Sequence, residues 1–274
     1  MLTVRAMGIA SAVGAVVLGL AYMAAAGAPT QYLSINAGTL VFGLVALIAW
    51  THWSRPAAEL SGLVPLVIGL ALLATALYGH SLEGTTRWVR LGPLALQPGL
   101  ILTPLLVVLF SRNRNWLAIL GVVISAAALA LQPDRAIAGA MTVAIAALAI
   151  TRPDRRFLLA LVATSIAFAI TLVRSDTLPV RAFVEEVLFT AFETHWLAGL
   201  AVWIGSIWLL IPAIVGRKDP ENRAAYNVFG AVWLGLIVAS LLGAYPTPLV
   251  GYGASSILGY ALSLAALPGL VRQT

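Results

Sequence analysis

The stretch EGTTRWVRLGPLALQPG, residues 83–99, separates two long apolar runs, and its reading decides what kind of membrane protein this is. It sets Arg87 and Arg90 on either side of Trp88 and follows them with glycine, prolines and Gln97. A plain connecting loop needs none of these. The chain around it is 61 % hydrophobic and 9 % charged, against about 25 % charged in an ordinary soluble domain. Mean hydropathy is +0.99. Apolar runs of 17 or more residues recur, each able to span a hydrocarbon core of about 30 Å. Runs this continuous form helices, which satisfy their own backbone in lipid, rather than the alternating strands of a barrel. The fold class is therefore all-α: a polytopic membrane protein, a bundle of about ten transmembrane helices.

Working outward, the spans fall at roughly 7–26, 32–50, 60–79, 94–110, 116–132, 136–151, 156–173, 187–214, 224–244 and 254–271. Their connections are short, so residues 1–274 form a single integral membrane domain. The absence of cysteine removes disulfides and cysteine-held metals. A pI near 10.2 arises from basic loops rather than a basic folded face, so nucleic acid is not an expected partner; membrane lipids are. The first run carries secretory-signal features, but its apolar part exceeds the usual ~7–15 residues, so it reads as a retained span. With both termini in the cytoplasm, eleven of the 16 basic residues fall on inner loops, as the positive-inside rule requires. That orientation puts residues 83–99 outside, together with LQPDR, RSDTLPVRAFVEE and AYPTPLVGYGASS.

Charges on that side are few: Glu83, Arg87, Arg90, Asp134, Arg135, Arg174, Asp176, Arg181, Glu185, Glu186 and Glu193. The eighth run offers about thirty helical residues where about twenty suffice, so its first two turns should stand at the outer surface. As one helix it places Glu186 and Glu193 on a shared face with Thr190 between them. An acidic first turn complements the helix dipole. Glu193, two turns in, would need a basic partner from Arg87, Arg90, Arg135 or Arg181. His195 reads as an interfacial or packed histidine, because one histidine besides His80 makes a poor metal site. Trp50, Trp53, Trp116 and Trp196 at span ends are ordinary interfacial residues. The glycines and prolines of GPLALQPG and YPTPLVGYGASS either terminate helices or line a cavity at the membrane edge.

GTTRWVRLGPLALQP resembles the signature of the shape, elongation, division and sporulation family (the FtsW, RodA and SpoVE proteins), roughly G-(A/S)-x-R-W-I-x-L-G-P-L-x-x-Q-P-S-E. In the same order LQPDRA is similar to that family's Q-P-D-L-G-T, and TPLVGYGASSIL to its L-P-L-(I/V)-S-Y-G-G-S-S. The resemblance covers nearly the whole chain. It implies a ten-helix bundle that polymerises lipid-linked disaccharide-pentapeptide (lipid II) outside the cytoplasmic membrane, working with a penicillin-binding transpeptidase. A carboxylate would deprotonate the acceptor sugar hydroxyl. Arginines, with a divalent cation where one is used, would neutralise the leaving pyrophosphate.

Carried over residue by residue, the resemblance puts Glu185 at the position of the family's essential aspartate and Glu193 at the first glutamate of its E-E-L-G. Glu185 or Glu186 would then be the catalytic base, and Arg87 and Arg90 would contact the pyrophosphate. Trp88, Gln97, Asp134, Glu193, Tyr252 and Ser255 would complete the substrate surface; no metal ligands are assigned. Gly99, Leu100 and Thr103 stand where the family has Ser, Glu and Lys, and the loop before the eighth run is short. The alternative is accordingly a non-catalytic member acting as a membrane scaffold that binds a partner or a lipid carrier.

Overall fold

The computed structural model describes residues 3–53, 62–82, 85–92, 94–113, 115–174 and 179–268; Glu83 and Asp176 of the outer charges, and Arg55, Arg114 and Arg272 among the eleven inner basic residues, lie outside them. Among the described residues twelve helices follow the apolar runs: α1 Val4–Ala25, α2 Thr30–Trp53, α3 Leu63–Tyr78, α4 Pro98–Ser111, α5 Trp116–Leu131, α6 Arg135–Thr151, α7 Arg155–Val173, α8 Val187–Thr194, α9 Trp196–Trp208, α10 Ile211–Gly216, α11 Arg223–Leu242 and α12 Ala254–Ala266. Among the described residues five stretches, with α9 and α10 taken together as Trp196–Gly216, are long and apolar enough to cross a membrane. Five shorter apolar helices stand beside them there, which makes ten apolar segments among the described residues.

Side chains at the bundle's centre include Trp233, Phe229 and Tyr260, stacked edge to face between α11 and α12. Elsewhere small residues bring backbones together, as lipid-embedded helices require. At the crossing of α3 and α5, a Cβ on Gly69 would meet the Gly121 carbonyl at 2.5 Å. One on Gly121 would meet the Pro65 carbonyl at 2.3 Å. Large apolar side chains such as Phe42 (65 % exposed) and Ile150 (81 %) instead face outward, as a lipid solvent allows.

Two features depart from the sequence reading. The stretch after α3 is not a loop leading straight into a helix at residue 94. It forms a three-stranded antiparallel sheet, β1 His80–Leu82, β2 Thr85–Leu91 and β3 Leu94–Leu96, and α4 begins only at Pro98. Leu91 pairs with Leu94, and Gly92 between them adopts φ +59°, the left-handed conformation that a tight hairpin needs. The all-α class holds for the bundle, with this sheet as an outer ornament.

The eighth run is not one helix. His195 is extended (φ −168°, ψ 145°), ending α8 and beginning α9, and its Nδ1 accepts from the Leu197 N–H. Trp203 Nε1 donates to the Leu188 carbonyl at 2.9 Å, 15 residues back. In a continuous helix those residues would be about 22 Å apart, so α8 folds back on α9. Gly199 lets Phe192 lie against α9, since a Cβ there would sit 2.3 Å from the ring. A second break follows α9, where Tyr260 O–H donates to the Leu209 carbonyl (3.0 Å) and satisfies a freed acceptor inside the bundle.

Substituting Gly121 with alanine should lower the thermal unfolding midpoint in detergent, at a cost of about 1–3 kcal/mol, because backbone must move apart. Gly38→Ala on α2, where a Cβ meets nothing within 4 Å, should leave the midpoint unchanged or raise it. Equal responses would contradict the α3–α5 contact.

Candidate active site at the motif end of the bundle

All three motifs meet at one end of the bundle, first through a buried polar chain. Strand β2 alternates, so Thr85 and Arg87 turn inward (6 % and 3 % exposed) while Arg90 is exposed. Arg87 Nε donates to the Gln132 carbonyl (2.8 Å), and its Nη2 donates to the Pro133 carbonyl (2.7 Å). The same Nε lies 4.0 Å from Asp134 Oδ2. Asp134 caps α6 by accepting the Ile137 N–H (3.2 Å) and takes a 2.7 Å hydrogen bond from Gln97 Nε2. The Gln97 backbone N–H, at the start of α4, donates to Ser255 Oγ on α12 (2.8 Å). Arg87, Gln97, Asp134 and Ser255 are thus brought together, all buried, and each binds another or the backbone. Arg87 is accordingly directed into the protein rather than toward an outer ligand, because the sheet lays its inward face on the α5–α6 corner.

A second constellation is built by two paired loops. The Thr247 N–H donates to the Val184 carbonyl (2.9 Å) and the Tyr252 N–H to the Phe183 carbonyl (2.6 Å), while Glu185 bridges to Pro246. Three non-glycine residues in these loops are left-handed: Phe183 (φ 66°), Glu186 (φ 59°) and Leu249 (φ 60°). Each such residue costs about 1–3 kcal/mol and persists only where surrounding bonds enforce it, a pattern concentrated at functional sites. Tyr22 and Tyr32 pack on Phe183, and Tyr32 stacks on Tyr252 (centroids 3.8 Å, planes 6° apart).

Glu185 sits half-buried at this junction, with its carboxylate accepting the Arg181 N–H. Burial pushes its pKa above the ordinary glutamate value, and the bond from Arg181 only partly offsets it. The folded state therefore binds this proton more tightly than the unfolded chain does. The stability it contributes is full at pH below the unfolded value and is lost as pH rises through the folded one.

Glu186 and Glu193 do not share a helix face. Glu186 precedes α8 in the left-handed region, where its carbonyl accepts from Phe189 and Thr190. Glu193 lies one residue from the end of α8, exposed, so it needs no basic partner to offset burial. The first difference follows from the left-handed turn at Glu186, which leaves it outside α8 as its N-cap, and the second from α8 ending at Thr194. Trp88 is half-buried and pairs with His80 across the sheet. Arg135 is spent on the end of α7, donating from Nε to the Thr171 carbonyl (2.9 Å). Asn36 of α2, fully buried, is a site residue that the sequence reading passed over; its only signal was an amide inside an apolar run. Among the described residues no group of three or more His, Asp or Glu side chains could hold a metal ion.

Two outcomes test this geometry. Arg87→Met should destabilise the protein by about 3–5 kcal/mol, because Asp134 then loses its buried cation. Arg87→Met combined with Asp134→Asn should recover part of that loss, and strict additivity in the double-mutant cycle would deny the coupling. Glu185→Gln should remove the stability loss on raising pH from the acid range toward neutrality, read from unfolding midpoints across pH.

No family model matches the chain. In sequence, a segment is 38 % identical over 76 residues to the probable peptidoglycan glycosyltransferase FtsW of Neisseria gonorrhoeae, a match spanning 24 % of this chain and 15 % of that protein. In structure, the rod shape determining protein RodA of Thermus thermophilus superposes with TM-score 0.68 at 20 % identity, covering 95 % of this chain and 94 % of RodA. A chain of a peptidoglycan synthase complex, solved in a study of coordinated polymerization and crosslinking, superposes with TM-score 0.62 at 19 % identity, covering 94 % of this chain and 96 % of that one. The whole-chain superposition shows that this chain has the fold of RodA and of the synthase-complex chain, a bundle of apolar helices, and its three motifs lie in the order of the FtsW/RodA/SpoVE signature they resemble.

Proposed function

We propose that the chain acts in cell-wall synthesis at the outer face of the bacterial cytoplasmic membrane, with both termini inside, as a glycosyltransferase polymerising lipid-linked disaccharide. The observation that carries this reading is Glu185: a half-buried carboxylate of raised pKa, held by the Arg181 N–H among strained, cross-bonded loops. A base works best when its pKa approaches the working pH. Glu185 would take the proton of the acceptor sugar hydroxyl as that oxygen attacks the donor's anomeric carbon. The bond from that carbon to the pyrophosphate oxygen breaks, and the electron pair leaves with the polyprenyl pyrophosphate. Exposed Arg90 is the basic side chain of the first motif suited to meet that charge. Arg87 would act indirectly, by fixing β2 on the bundle. A penicillin-binding transpeptidase would be the partner that crosslinks the product, a pairing suggested by the similar chain from the synthase complex.

A non-catalytic scaffold is the second reading. Gly99, Leu100 and Thr103 occupy the positions of the resemblance's Ser, Glu and Lys, and all three are buried. That substitution removes a charged set from beside the site.

Purified wild-type protein in detergent should convert lipid II to glycan, and Glu185→Gln should lower the rate at least ~10²-fold, the scale of a lost general base. The wild-type rate should rise with pH along a limb displaced above the ordinary glutamate range of about 4.3. Folded protein that makes no glycan under conditions where a peptidoglycan glycosyltransferase control does would overturn the enzymatic reading in favour of the scaffold.

A further inference from the structure

Helix α2 is the most lipid-facing of the long helices, with 17 % of its apolar window buried against 28–50 % for the other four. Of its described side chains only Asn36, Gly43 and Leu47 are buried. Burying an amide on a helix that contributes so little packing is costly unless the amide is fully bonded. Asn36, at 0 % exposure, bonds the third motif on both sides of Tyr252. Its Nδ2 donates to the Gly251 carbonyl (2.9 Å), and its Oδ1 accepts the Gly253 N–H (3.1 Å). One side chain thus stands in for a strand edge. Tyr32, four residues earlier and so on the same helix face, stacks on Tyr252 itself.

Beyond this grip the path to Glu185 is short. The Tyr252 N–H donates to the Phe183 carbonyl, two residues before Glu185. Gly251 lies so close to that loop that a Cβ would stand 3.1 Å from the Phe183 carbonyl and 3.2 Å from that of Val184. Both loops carry left-handed non-glycine residues, which relax once their restraints go. We propose that Asn36 is a positioning residue for the Glu185 site. From α2 it fixes the loop 246–253, and that loop holds residues 183–185 and the carboxylate in place. The assignment rests on the glycosyltransferase reading for its catalytic consequence, and on the loop geometry for its structural one.

Asn36→Leu removes both bonds while keeping the forked, four-heavy-atom shape of the side chain, whereas Asn36→Asp keeps only the acceptor toward Gly253. Phe42→Ala, on the outward face of the same helix, is the control. Asn36→Leu should lower kcat for lipid II polymerisation about tenfold or more, as misplacement of a catalytic group does. KM should stay within about twofold. The acid limb of the pH–rate profile should move toward the ordinary carboxylate range as water reaches Glu185. Amide hydrogen exchange over 181–186 and 246–253 should quicken, with Asn36→Asp intermediate and Phe42→Ala like wild type. Wild-type exchange in Asn36→Leu overturns the proposal, as does a rate loss with the acid limb unmoved. Should wild type make no glycan, the glycosyltransferase reading falls, and the exchange comparison still decides the clamp. Should Asn36→Leu fail to fold, Asn36→Asp decides by the same criteria.

Discussion

An arginine and an aspartate shut away from water in an apolar bundle must satisfy each other and their neighbours, and the motif end is arranged around that requirement. Asp134 cannot remain charged in such surroundings without donors. It finds them in the Ile137 N–H, Gln97 Nε2 and the guanidinium of Arg87. Arg87 in turn covers the carbonyls where α5 gives way to α6, and Gln97 passes the chain on to Ser255 and α12. Four elements distant in sequence are thereby held in one register. Bonds of this kind, with charged partners, contribute about 1.5–3 kcal/mol each when complete, and cost at least as much when broken on one side. Geometry as well as stability depends on them.

From that fixed corner the third motif extends to the carboxylate. Ser255 anchors the start of α12, while the residues just before it pair with residues 183–185 and are gripped from the far side by Asn36. Left-handed backbone at Phe183, Glu186 and Leu249 shows that these loops are constrained rather than relaxed. A group meant to move a proton gains from that constraint, because its burial and distance to a reacting hydroxyl are set before substrate arrives. The candidate site residues thus divide into two sets. Arg87, Gln97, Asp134 and Ser255 build the support, whereas Glu185, Tyr252, Trp88 and Arg90 stay partly or wholly open to the outside.

The bundle itself was legible from composition. Apolar runs long enough to span a membrane must be helical, and their ends were placed within a few residues, as for α6 and α7. The sheet was less visible. TTRWVRL has β-branched and aromatic residues, and Gly92 followed by Pro93 marks a turn, but seven residues between apolar runs read equally well as a loop. The folding back of α8 was invisible. Nothing in FETHWLAG forbids a continuous helix, and only the contacts of Phe192 with Gly199 and Trp203 with Leu188 select the break. The shared face of Glu186 and Glu193 failed for a separate reason, the left-handed turn at Glu186 that starts α8 only at Val187.

By itself, then, the sequence determined solvent and fold class, and it carried the resemblance. Hydropathy dictates a membrane bundle because unpaired backbone is intolerable in lipid, and three ordered motifs mark the end where chemistry would sit. Which motif residues face each other and which face outward was decided by tertiary structure alone. Arg87 and Arg90 are indistinguishable as letters three positions apart. The pleat of β2, laid over the α5–α6 corner, buries one against Asp134 and leaves the other exposed. That outcome depends on contacts 46 residues away in the chain, a distance over which no local pattern carries information.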